Sequence, residues 1–311
     1  MTPGQFALRF FYTPVGRLKQ CIREGGPWAQ RKTERGRQEM EATGERFGAL
    51  PTFDNAPVVT LHLMTGRRFW YQTVFCLHSF AEAARVNIAP EIYDDGSIDA
   101  GYRERLLRLG PRVKIHSASE LRARLDAHLP ADRFPALRER WENYPNIRKL
   151  IDVHLASSGW KLVIDSDLLF FREPTVLVDW LLHPTQPLHA VDCTESYGYS
   201  RGLMQELAGA PIGPLINVGL CGLRSDELNW EKLEHWCAQL IGRERTNYYL
   251  EQALVAMLVS GRTCTIAPAK DYVTMPSRDE ATRPTAVMHH YVDTSKRWYF
   301  QTAWRRVLPG S

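Results

Sequence analysis

Residues 146–171 constrain this chain most, because a helix-like stretch, a glycine and a buried strand follow one another there and end in paired acids. Asn146 to Ser158 carries apolar side chains at helical spacing, Gly159 stops it, and Trp160-Lys-Leu-Val-Ile164 reads as a strand running into Asp165-Ser166-Asp167. Residues two apart share one side of a strand, so Asp165 and Asp167 can converge while Ser166 points away. Carboxylate oxygens suit a hard divalent cation such as Mg²⁺ or Mn²⁺, ions that commonly bridge phosphates. The bland alternative is that the two acids end the strand and cap the next segment.

The same alternation recurs upstream. Val58-Val-Thr-Leu-His-Leu63 is strand-like, Thr65-Gly66 a turn, and Phe69 to Phe80 has helical spacing. Val86 to Tyr93 is a second strand, stopped by Asp94-Asp95-Gly96-Ser97, with a charged helix over Tyr102 to Leu109. Arg112 to His116 gives a short third strand, and Ser119 with Leu121, Leu125 and Leu129 suggests a capped amphipathic helix. Strands alternating with helices predict an α/β chain with a mostly parallel, Rossmann-like central sheet flanked by helices, and ligands in such sheets bind beyond the strands' carboxyl ends. Beyond Pro174 the pattern loosens. Leu188 to Asp192 is strand-like, Gly198 to Pro214 reads as a flexible connection, Ile216 to Leu223 is a buried strand, and helices are expected over 229–241 and 248–259.

Composition bounds the class. The chain has 311 residues, 44% apolar and 24% charged, as expected of a folded globule. No segment offers ~18 uninterrupted apolar residues and no signal-peptide pattern opens the chain, which points to the cytoplasm. Six scattered cysteines without a Cys-x-x-Cys pair argue against zinc and against a disulfide framework. The net charge of +4 lies entirely at the N-terminus: residues 1–50 hold nine Lys/Arg against five Asp/Glu, leaving thirty against thirty. Residues 1–55 therefore read as a basic, largely helical extension, broken around Gly25-Gly26-Pro27, ahead of a main domain over 56–311. With Phe6, Leu8, Phe10, Phe11 and Tyr12, the extension could touch the inner face of a membrane or another acidic partner, or simply pack on the main domain. The balanced remainder gives no sign of a nucleic-acid surface.

A second motif joins the first. His290-Tyr-Val-Asp-Thr-Ser-Lys296-Arg-Trp298 resembles the C-terminal His-x-x-Gly-x-x-Lys-Pro-Trp of nucleotide-sugar glycosyltransferases of the GT-A fold, most closely those of glycosyltransferase family 8. The resemblance covers roughly residues 57–304. It implies a GT-A fold, a metal site of Asp165, Asp167 and His290 for Mn²⁺ or Mg²⁺, and a donor site to which Lys296 and Trp298 belong. His289 is the neighbouring alternative ligand. The chain departs from the motif at Asp293, where the family has Gly, and at Arg297, where it has Pro.

Further positions fit that resemblance. Lys149 matches a family lysine that reaches the donor phosphate or sugar, although helix-surface lysines are usually only solvated. Asn217-Val-Gly219 resembles a strand whose Asn faces the donor sugar, against the plain reading of a satisfied core amide. Glu251-Gln252 resembles an Asp-Gln pair beside the anomeric centre, against a simple acid at a helix start. Asp95 could hold ribose or base, and is equally an Asp-Gly turn residue.

The resemblance thus implies a metal-dependent glycosyltransferase that moves a sugar from a nucleoside diphosphate sugar, a UDP-sugar foremost, to a glycan, lipid-linked or protein acceptor. Family 8 retains anomeric configuration, with same-face attack guided by Asn217 and Gln252. An inverting relative would instead need Glu251 or Asp271 as general base. Two alternatives from other classes are a catalytically silent nucleotide-sugar binding protein and a sugar nucleotidyltransferase. The latter is disfavoured by the lack of a Gly-rich triphosphate loop after the first strand. The acceptor side is expected from 193–214 and 271–285.

Overall fold

The computed structural model describes residues 25–308. Among the described residues the first element is α1 (Pro27–Gly44), which has Pro at its first position and is laced by Arg37 pairs to Glu34 at 2.8 Å and Glu41 at 2.9 Å. Then follow β1 (Val58–Thr65), α2 (Trp70–Ala84), β2 (Asn87–Asp94), α3 (Ala100–Leu107), β3 (Lys114–His116), α4 (Ala118–His128), α5 (Pro135–Asn143), α6 (Ile147–His154) and β4 (Trp160–Ile164). The second half comprises β5 (Leu168–Phe170), α7 (Thr175–Leu182), β6 (Leu188–Val191), α8 (Arg201–Ala208), β7 (Ile216–Arg224), α9 (Trp230–Glu244) and α10 (Leu250–Leu258). It closes with β8 (Thr265–Ala267), β9 (Tyr272–Thr274), α11 (Arg278–Thr282), β10 (Met288–His290) and α12 (Lys296–Gln301).

The seven-stranded sheet runs β3-β2-β1-β4-β7-β6-β8, and β5-β10-β9 form a second, smaller sheet. All neighbours in the large sheet are parallel except β7, which runs against both β4 and β6. One core holds the side chains of β1, α2, α7 and α12 together with Met40 of α1. The other joins α5, α6, α8, α9 and α10 on the opposite face. Both faces are thus covered by helices, as the buried apolar strands require.

Two expectations need correction. The stretch from Gly198 to Pro214 contains α8, capped by Ser200, whose side chain accepts from Leu203 N–H, and ended by Gly209 at φ 73°. The residues that read as a flexible connection are therefore the helix's own punctuation. The cap of α4 is Ser117 rather than Ser119. Ser117 forms a capping box with Glu120, three residues on, and that geometry only the residue preceding the first turn can make.

α1 lies directly on the C-terminal helix. Gln301 Nε2 donates to Ala29 O at 3.2 Å and Thr33 Oγ1 at 2.9 Å, Arg305 pairs with Glu39, and Gly36 sits where a Cβ would come within 2.1 Å of the Phe300 carbonyl oxygen. The aromatic residues Phe6 to Tyr12, proposed from sequence to touch a membrane, lie outside the described residues. Among the described residues, no helix is long and apolar enough to cross a membrane, and Cys76, Cys193, Cys221, Cys237 and Cys264 are free thiols.

Candidate active site

The three residues Asp165–Asp167 are the only link between β4, in the large sheet, and β5, in the small one. Each end of this link is pinned. Asp165 N–H donates to Gly219 O on β7 at 2.8 Å, and Tyr291 N–H, just past β10, donates to Asp167 O at 3.1 Å. Antiparallel pairing of β10 with β5 sets His290 opposite Leu168, so the imidazole arrives beside both acids.

His290 Nε2 lies 3.6 Å from Asp165 Oδ2 and 3.4 Å from Asp167 Oδ1, and one ligand atom from each of the three residues falls within a 4.8 Å cluster. Asp167 Oδ1 and His290 Nε2 are buried polar atoms with no hydrogen-bond partner. Buried polar atoms are nearly always paired, so two orphans facing each other across this gap fit a cation as their common partner. Gly219 makes room for the ring: a Cβ there would stand 2.1 Å from His290 Cε1. His289 is excluded as a ligand. It is fully buried, and its ring nitrogens are engaged by Tyr291 Oη at 2.8 Å and Glu280 Oε1 at 2.9 Å, because consecutive strand residues face opposite ways.

Two ammonium groups flank the acids. Lys149 Nζ, from α6, lies 2.8 Å from Asp165 Oδ1 and 3.5 Å from Glu251 Oε2, and Lys296 Nζ, opening α12, lies 2.9 Å from Asp167 Oδ2. Burial alone would lower the Lys149 ammonium, but Asp165 and Glu251 hold it well above the ordinary lysine value. Asp167 holds Lys296 above its usual value too, against burial. Burial would raise the Asp167 carboxyl, yet the Lys296 charge and the His290 ring keep it far below the usual carboxylate range. Glu251 behaves oppositely. Its burial outweighs Lys149, and its carboxyl is raised to about 7.

These groups line one cavity of about 680 Å³, together with Asp95, Asn217 and Gln252. Gln252 Nε2 donates to Asp192 Oδ2 at 3.0 Å and Ile216 O at 2.9 Å, so both its N–H groups are used and only Oε1 is left to accept. Asn217 Oδ1 accepts from Gly219 N–H at 2.9 Å. Asp95 is at once a turn residue and a wall residue. Its Oδ1 accepts from Ser97 N–H at 2.9 Å and Ser97 Oγ–H at 2.5 Å, and its carboxylate occupies the space a Cβ on Gly66 would need.

Arg148, the residue before Lys149, is buried against Asp152 at 2.9 Å and donates to the carbonyls of Asp94 and Asp95 at 2.9 and 2.6 Å. One turn of α6 thereby fixes the end of β2 and reaches the end of β4. Trp298 is placed outside the cavity. Its indole carries the Arg297 guanidinium 3.8 Å above the ring and Arg278 at 5.6 Å, and packs against the core.

Sequence reasoning passed over Asp192, Tyr144, Tyr248 and Gln72, which also line the cavity. Asp192 carries the same signal as Asp165, an acid at the end of an apolar strand, and was readable on that ground. Tyr144 was not, since its role is tertiary: its hydroxyl donates to Tyr248 O and meets Glu251 N–H at 3.5 Å. Cys193, Thr194, Ser196 and Met275, from the two stretches expected on the acceptor side, reach the cavity wall.

No protein-family model and no curated protein sequence matches the chain. Solved structures do. The bifunctional glycosyltransferase WbbM superposes at TM-score 0.51 and 14% identity over 79% of this chain and 47% of its own, so this chain spans about half of it. Mouse xyloside xylosyltransferase 1 superposes at TM-score 0.51 and 13% identity over 75% of this chain and 97% of its own. A mixed seven-stranded sheet with helices on both faces, superposing on such enzymes over three quarters of the chain, identifies the architecture as the GT-A glycosyltransferase fold.

Proposed function

We propose that this chain transfers a sugar from a nucleoside diphosphate sugar, with a UDP-sugar as donor, to an acceptor hydroxyl, and that Asp165, Asp167 and His290 hold the Mn²⁺ or Mg²⁺ the reaction uses. The observation that carries the proposal is the facing pair of orphaned buried atoms, Asp167 Oδ1 and His290 Nε2, between two lysines in the wall of a cavity. When bound, the cation would supply positive charge to the diphosphate.

The protein's own groups share that task. Lys296, and Lys149 from the other side, are strongly held cations beside the place where a leaving diphosphate gains negative charge, which is electrostatic stabilisation of the departing group. The bond from the anomeric carbon to the diphosphate oxygen breaks, the bond to the acceptor oxygen forms, and the acceptor proton passes to the departing diphosphate. Gln252 Oε1, its amide fixed by Asp192 and Ile216, would accept a hydrogen bond from a sugar hydroxyl, and Asn217 lines the same wall.

Asp293, standing where family 8 has Gly, has φ 46°, in the left-handed region that glycine favours and aspartate tolerates. The turn before Lys296 thus takes a backbone conformation open to glycine while carrying a side chain. Retention of configuration, which the family resemblance implies, is part of the proposal.

Thermal stability with UDP, GDP, CDP and dTDP, each with Mn²⁺ or with EDTA, tests the reading. A ligand at ~100 times its dissociation constant stabilises by about 2.7 kcal/mol. We expect a Mn²⁺-dependent shift with UDP that Asp167→Ala and His290→Ala abolish. No shift with any nucleotide would replace transfer with a structural role for both motifs. NMR of the product from a screened UDP-sugar then reads the anomer, and an inverted one would sink retention.

A further inference from the structure

Gln72 is 3% exposed on α2, and its Nε2 donates to Tyr71 Oη at 3.4 Å while Oε1 is buried with no hydrogen-bond partner. A buried acceptor left unmade is costly, so such an atom calls for an explanation. Gln72 lines the main cavity and also a smaller one of about 380 Å³. Lys296 and Phe69 are shared by the two spaces, and Arg37 of α1 and Phe300 of α12 line only the smaller one.

The helix face is the relevant one. Cys76, one turn further along α2, places Sγ 3.6 Å from the Asp165 carbonyl oxygen, so Phe69, Gln72 and Cys76 form a row along the metal-ligand segment. Gln72 therefore brings an unpartnered acceptor to walls that Lys296, the proposed diphosphate lysine, and Phe69 also line.

We propose that Gln72 is a ligand-binding residue whose Oε1 accepts a hydrogen bond from an O–H group of the bound donor complex. That group is either a nucleoside hydroxyl or a water held by the cation. The proposal rests on the nucleotide-sugar reading above. Oε1 can only accept, which suits a hydroxyl and repels phosphate oxygen, so this atom reads what adjoins the diphosphate rather than the diphosphate itself.

The test measures binding of UDP, 2′-deoxy-UDP and pyrophosphate with Mn²⁺, and of Mn²⁺ alone, to the full chain. Wild type is compared with Gln72→Met, which keeps the length and removes the acceptor, and with Gln72→Glu, which keeps an acceptor. Gln72→Met should bind Mn²⁺–UDP about tenfold more weakly, about 1.4 kcal/mol, with thermal stability unchanged or raised because an orphan acceptor is gone, and Gln72→Glu should recover binding in part. Unchanged affinity for Mn²⁺ and pyrophosphate assigns the hydroxyl to the nucleoside, and 2′-deoxy-UDP then tells which one. A parallel loss for Mn²⁺ alone assigns it to metal-held water. Equal UDP affinity in wild type and Gln72→Met, or a loss of stability without a loss of affinity, overturns the proposal. If wild type binds no nucleotide, the functional reading falls first and takes this inference with it.

Discussion

His290 and Gly219 show how narrowly one side chain's place is set. The imidazole fits between two carboxylates only because β7 carries no side chain at Gly219, where a Cβ would stand 2.1 Å from Cε1. Gly219→Ala should push the ring away from the two carboxylates with little effect on the sheet, since backbone conformation there is ordinary. We expect Mn²⁺ affinity to fall about tenfold or more, as when the support of a metal ligand is lost, read by titration with Mn²⁺. Unchanged affinity would show that the ring has another route to the site. The sequence singled out Asn217-Val-Gly219, and all three residues line the cavity. The reason for the glycine was not legible there, because the atom it avoids lies on a strand reached much later in the chain.

Among the elements, α1 is the one whose place the local pattern left open. Its surface is polar enough to read as a solvated extension, yet Met40 is fully buried and Gly36 packs on the Phe300 carbonyl of α12. α12 also carries Lys296, so α1 braces the helix that carries the proposed diphosphate lysine. Gly36→Val would drive a branched side chain into backbone and should cost about 1–3 kcal/mol, in the range of overpacking. Hydrogen exchange should rise in α1 and α12 together. Exchange confined to α1 would mean that the two helices open independently. α8 is the converse case, a helix hidden in sequence by the glycines and prolines that cap it, because a window dominated by breakers scores the boundaries and not the turn between them.

At the scale of the whole molecule, buried histidines tie folding to pH. His62 on β1, held by Tyr93 Oη at 3.1 Å, and His154 at the end of α6, held by Ser225 Oγ at 2.9 Å, are 4% and 2% exposed. Burial is the main cause that lowers both from 6.5 to about 3. The unfolded chain therefore binds protons near pH 6.5 that the folded chain refuses. Stability is fully present above that value and falls as pH drops toward about 3, by about 1.4 kcal/mol per pH unit for each histidine. Urea unfolding at pH 7.5, 6.0 and 5.0 should show the decline, and His154→Asn should make it shallower. A flat profile would mean that these rings are protonated in the fold.

The sequence by itself determined what depends on neighbours along the chain. Period-two and helical spacing mark β1, β2, β4, β7, α2, α9 and α10, and the acids follow β4 because a strand's end is where a buried apolar run meets polar residues. Motif spacing singled out His290 and Lys296. Only the tertiary structure decided which way these groups face: that Asp165–Asp167 bridges two sheets, that β7 runs against its neighbours, that His290 turns to the acids while His289 is taken by Glu280 and Tyr291, and that Trp298 leaves the cavity to stack with arginines. Facing is set by which strands pair and how the sheets close, and those contacts join residues far apart in the chain, beyond the reach of any local pattern.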